Sequence, residues 1–105
     1  MKILIKTTNL ILPESTSQYL DSKLQALPKL LTHYESDAVE AQVELAKTSN
    51  HHNKGDIYKA VINLHLPLKS LRAEVEGADL HSAIDDLKDT ILEELRKYND
   101  ILKSK

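Results

Sequence analysis

The sequence predicts an α+β domain of order β-α-β-β-β-α, a four-stranded mixed sheet carrying two helices on one face. Three observations point to it. Apolar residues alternate with polar ones in four separate runs, leucine-rich stripes of helical period occupy two others, and every run is apolar on one side only. Elements with a single apolar face must bury it against another layer, so the sheet should have one covered and one open face. The 105 residues, 41% hydrophobic and 29% charged, are enough for one core and too few for a second. Residues 1–105 are therefore expected to form a single domain.

The opening run "KILIKT" sets Ile3 and Ile5 on one face of a strand, with Lys2, Leu4 and Lys6 on the other. Pro13 has the fixed φ and missing N–H that suit a helix's first turn. Leu20, Leu24, Leu27 and Leu31 then follow at helical spacing, opposite Asp21, Gln25 and Lys29. Pro28 interrupts the stripe, because an interior proline deletes a hydrogen bond and clashes with the carbonyl four residues back; a kink near Leu24 or a break before Lys29 is expected.

"SDAVEAQVELAK" switches to period two, with Val39, Ala41, Val43 and Leu45 inward. "TSNHHNKGD" reads as a hairpin loop. The next strand faces Tyr58, Ala60, Ile62, Leu64 and Leu66 one way, and Lys59, Val61, Asn63 and His65 the other, until Pro67 ends it. After a short turn, Leu71, Ala73 and Val75 alternate with Arg72, Glu74 and Glu76. Gly77 is expected to let the chain leave this strand in a conformation that a branched residue would resist, and Asp79 to cap the last helix. That helix aligns Leu80, Ile84, Leu87, Ile91, Leu95, Tyr98 and Leu102. A helical crossover makes the first two strands parallel, and short loops make the remaining pairs antiparallel.

Fourteen Lys and Arg against sixteen Asp and Glu give a net charge of −2, so any nucleic-acid contact must come from local patches. No cysteine is present, which rules out thiol catalysis and a disulfide framework. "MKILIKTTN" does not resemble a secretory signal, and no run approaches the ~18 apolar residues of a membrane span. A soluble cytoplasmic protein with no membrane partner is expected. With Gly55 and Gly77 as the only glycines there is no phosphate loop, and no nucleophile stands with a base, so neither an enzyme nor a cofactor is expected.

His51 and His52 are adjacent, but a metal site needs more ligands than this loop offers; they read as solvated, and His33, His65 and His81 as surface or boundary residues. Asp85, Asp86 and Asp89 read as a solvated helix face. Lys2, Lys6, Lys59 and Arg72 fall on the open sheet face, while Arg96, Lys97, Lys103 and Lys105 crowd the end of the last helix. The second group complements the helix dipole, and Glu93 can pair with Lys97, so the pattern alone leaves phosphate binding and plain helix stabilisation both open.

The run "LHLPLKSLRAEVEGADLHSAIDDLKDTILEELRKYND" resembles the bacterial ribosome hibernation promoting factor family, also described as ribosomal subunit interface proteins and including ribosome-associated inhibitor A (protein Y). Family members carry A-x-x-E-G/A-x-D-M-Y-x-A-I-D and then L-x-[RK]-[HY]-K. Ala73, Glu76, Gly77, Asp79, Ala83, Ile84 and Asp85 match the first motif, and Leu95, Lys97 and Tyr98 the second. "NLILPESTSQYLDSKLQAL" resembles the family's opening helix, so the likeness covers essentially the whole chain. It implies a fold like that of double-stranded RNA-binding domains. It also implies binding to the small ribosomal subunit and its rRNA near the decoding region, where mRNA and tRNA sites are blocked in starvation or stationary phase.

By position, the resemblance assigns rRNA contacts to Lys23, Lys88, Arg96 and Lys97, and further contacts to Lys29 and Lys103. The chain departs from the family at Pro13, Ala26, His81, Thr90, Glu93 and Asn99, the last standing where lysine is usual. The ending "DILKSK" resembles the short form, a monomer when free that would need a separate ribosome modulation factor to pair ribosomes. The alternative is a protein-interaction module on the same fold, in keeping with an older family description as a sigma-factor modulator.

Overall fold

The computed structural model describes residues 1–49 and 55–104. In chain order these form β1 (Lys2–Thr8), α1 (Glu14–Leu24), two 3-10 turns (Pro28–Leu30 and Ser36–Ala38), β2 (Glu40–Ser49), β3 (Asp56–His65), β4 (Ser70–Gly77) and α2 (Leu80–Lys103). The sheet order is β1-β2-β3-β4, with β1 and β2 parallel and the other pairs antiparallel. The expected β-α-β-β-β-α mixed sheet with two helices is therefore the observed one.

The register aligns one face into rows: Ile3, Ala41, Leu64 and Leu71 form one, and Ile5, Val43, Ile62 and Ala73 the next. Helix α2 covers these rows with Ile84, Leu87, Ile91 and Leu95, while Leu20, Leu24, Leu27 and Leu31 complete the core from α1 and the turn after it. Toward the β1 edge the cover thins, and Ile5 is 39% exposed beside the polar Ser17, Gln18 and Asp21 of α1.

Helix α1 stops at Leu24, and Pro28 opens a 3-10 turn instead of continuing it. Leu24 supplies the carbonyl that a helical Pro28 would strike, so the break comes earlier than Lys29, although the leucine stripe stays buried through Leu31. At the other junction, Asp79 caps α2 as expected, its carboxylate accepting from the Ser82 N–H at 3.1 Å.

Two expectations need correction. Gly77 ends β4 opposite Tyr58 without a left-handed φ; a Cβ there would meet Asp79 and Ala83 at 3.5–3.7 Å, ordinary contact distance. Left-handed backbone occurs instead at Gly55 (φ 112°) and at Asn9 (φ 59°) in the β1–α1 connection. Val61, assigned to the open face, is nonetheless buried, because cross-strand Glu44 and Glu74 flank it there. The loop histidines His51 and His52 lie outside the described residues. Among the described residues, no helix is long and apolar enough to cross a membrane.

Two substitutions separate packing from backbone conformation. Ile91→Ala, at a fully buried site, should destabilise by about 2–5 kcal/mol in a denaturant titration. Gly77→Ala should stabilise by about 0.4–1 kcal/mol, since it restricts the unfolded chain without straining the folded one.

Candidate nucleic-acid interface

The two helices lie side by side on the sheet, and a polar cluster joins them. Tyr19 Oη of α1 donates to Asp85 Oδ1 of α2 at 2.5 Å. The Tyr19 ring stacks on His81, with centroids 4.4 Å apart and planes 7° from parallel. His81 Nε2 lies 3.3 Å from Thr16 Oγ1. The helical spacing of His81 and Asp85 sets both beside the same stretch of α1.

Lys23 belongs to this cluster. Its Nζ lies 3.5 Å from Asp85 Oδ1 and 5.1 Å from the Tyr19 ring centroid, within cation–π reach. The hydrogen bond from Tyr19 holds the Asp85 carboxyl below its usual range, with the Lys23 and Lys88 charges adding to the effect. The Asp85 charge in turn raises the Lys23 ammonium, and its hydrogen bond with Tyr19 raises the phenol.

The six cations assigned by resemblance divide into two groups. Lys23 is held by Asp85, Lys88 by Asp89 at 3.1 Å, and Lys97 by Glu93 at 3.5 Å and Glu94 at 3.8 Å. The expected Glu93–Lys97 pair is thus present. Lys29, Arg96 and Lys103 are exposed and form no ion pair among the described residues. On the open sheet face, Lys59 and Arg72 both bind Glu74, at 3.3 and 2.8 Å, which leaves that surface less cationic than its residue types indicate.

Lys29 and Lys103 share a groove between the Pro28–Leu30 turn and the end of α2. Leu30, Thr32, His33, Asn99 and Leu102 complete its lining. Asn99 Nδ2 donates to the Leu30 carbonyl at 3.0 Å and ties the turn to the helix. The roles of Asn99 and His33 escape a sequence reading, because residues 66 positions apart meet only after the chain has folded. The departure from the usual lysine at position 99 was the one visible signal.

Residues 3–103 match the family model described as Sigma 54 modulation protein / S30EA ribosomal protein. The chain belongs to that family. A Picosynechococcus protein named "Ribosome hibernation promotion factor" is 31% identical to this S30EA-family chain over 100 residues, covering 95% of the chain and 50% of that relative. The chain thus spans about half the length of its curated relative. The Thermus thermophilus Protein Y N-terminal domain superposes with a TM-score of 0.71 at 25% identity, over 93% of this chain and 99% of that one. A Coxiella burnetii ribosomal subunit interface protein gives 0.71 at 17% identity, over 95% and 99%, and shares the fold.

The Tyr19–Asp85 bond has a titration consequence. Because the folded Asp85 carboxyl is depressed, it contributes stability above the unfolded value of about 3.9, lost as pH falls through the folded value. Tyr19→Phe removes the largest cause. Carboxyl NMR should show Asp85 titrating at higher pH, and thermal melts should show a smaller Asp85-linked loss of stability on acidification.

Proposed function

We propose that this protein is a ribosome hibernation factor that binds the small ribosomal subunit near the decoding region and excludes mRNA and tRNA. The observation that carries this reading is the match of residues 3–103 to the S30EA ribosomal protein family. The named Picosynechococcus relative and the Protein Y domain agree with it. The mechanism is steric: a rigid domain occupies the site and makes or breaks no covalent bond.

Attachment rests on phosphate contacts from the helical layer. Lys29, Arg96 and Lys103 are the cations most ready to make them, since no carboxylate among the described residues must first be displaced. Lys23, Lys88 and Lys97 have to exchange Asp85, Asp89 and Glu93 for phosphate, which reduces the net gain. A second reading, an interaction module whose acidic helix face meets a basic protein partner, draws on Asp86 and Asp100 of α2, which are exposed and form no ion pair among the described residues.

Sedimentation with purified small subunits, at rising salt and with or without bound mRNA and initiator tRNA, separates the two. The ribosome reading expects co-sedimentation that falls with salt and is blocked by the ligands. Protein remaining in the supernatant at low salt would overturn it and leave the protein-partner reading. Reversing Lys29, Arg96 and Lys103 to Glu should abolish association, whereas Lys23→Glu with Lys97→Glu should weaken it less. Neutralising a phosphate-contacting lysine should flatten the log–log salt dependence by about 0.7–0.9 per contact.

A further inference from the structure

We propose that the groove between the Pro28–Leu30 turn and the end of α2 holds one unstacked nucleotide of single-stranded RNA, an inference that rests on the RNA-binding reading above. Lys29 and Lys103 face the same groove, and neither has an ion-pair partner among the described residues. Two uncompensated ammonium groups across a concave surface complement a phosphate.

Phosphate alone would not require the rest of the lining. Leu30 and Leu102 form an apolar floor, Leu102 being 40% exposed. The exposed His33 ring, braced against Tyr34 at 4.1 Å between centroids, offers a flat surface beside it. A stacking ring next to cations is how proteins hold splayed-out bases, and a base paired in an A-form helix cannot reach such a surface. The volume, about 450 Å³, falls within the ~300–1,000 Å³ range of small-ligand sites.

Asn99 fixes the wall of the groove. The Leu30 carbonyl can only accept, so Nδ2 must face it and the amide orientation is set. Asn99 Oδ1 is closed off from solvent, so this side chain shapes the groove by holding the turn against α2 and does not itself meet the nucleotide.

The test uses fluorescence anisotropy of the full chain with a short, labelled, adenylate-rich single-stranded RNA and with the same strand annealed to its complement. The single strand should bind at least about 10-fold more tightly at equal salt, by the stacking argument. His33→Ala should weaken single-strand binding by about 5–100-fold, the range of one lost stacking contact, and leave duplex binding unchanged. His33→Phe should restore it, while Lys29→Ala with Lys103→Ala should weaken binding to both RNAs.

Equal affinity for strand and duplex, no binding to either, or an unaffected His33→Ala variant would overturn the nucleotide site. Sedimentation of the same proteins with small subunits distinguishes the two failures. Ribosome association without single-strand preference rejects this inference alone, whereas absence of ribosome association rejects the reading beneath it.

Discussion

The rows Ile3–Ala41–Leu64–Leu71 and Ile5–Val43–Ile62–Ala73 form a floor that must be covered from one side, and the remaining architecture follows from that constraint. Ile84, Leu87, Ile91 and Leu95 place α2 over the floor, while Leu20 and Leu24 bring α1 alongside. Because β1 and β2 are parallel, the chain must return across the sheet between them, and α1 makes that return. The opposite face is then left to side chains that cross-strand neighbours can satisfy, such as Arg72, Glu74 and Lys59. Both helices can therefore present their outer surfaces to a partner without exposing the core.

Charge on those outer surfaces is arranged unevenly. Where the helices touch, Tyr19, Lys23, Asp85 and His81 form a closed polar cluster that sets one helix against the other. Farther along α2, Lys97 is shared between Glu93 and Glu94. Lys29, Arg96 and Lys103, which form no ion pair among the described residues, lie toward the end of α2 and the turn beside it. A net charge of −2 is thus compatible with a local patch for phosphate, because internal pairing consumes carboxylates near the seam and spares the far end.

Most of the fold was legible because each signal was local. Val39, Ala41, Val43 and Leu45 alternate, and all are buried; Asp79 precedes a helical stripe, and it caps α2. Gly77 misled because the identity of a glycine does not reveal its φ. Val61 misled because its cross-strand neighbours bury it on a face that the alternation assigns to solvent. The Pro28 break was foreseeable in kind, but its position depended on the clash with the Leu24 carbonyl and on a leucine stripe that could stay buried through a 3-10 turn.

The candidate interface was less legible. Residue types named the six cations, but pairing distances divide them, and those distances depend on how the helices sit together. By itself, the sequence determined the order of elements, the buried face of each and the family motifs, since periodicity, capping and residue identity are properties of neighbouring residues. Only the tertiary structure decided that Asp85 holds Lys23 and that Asn99 fastens the Leu30 turn. It also decided that Lys29 and Lys103 border one groove. The physical reason is that ion pairs and grooves depend on distances of a few ångströms between segments far apart in the chain, which packing sets and local pattern does not.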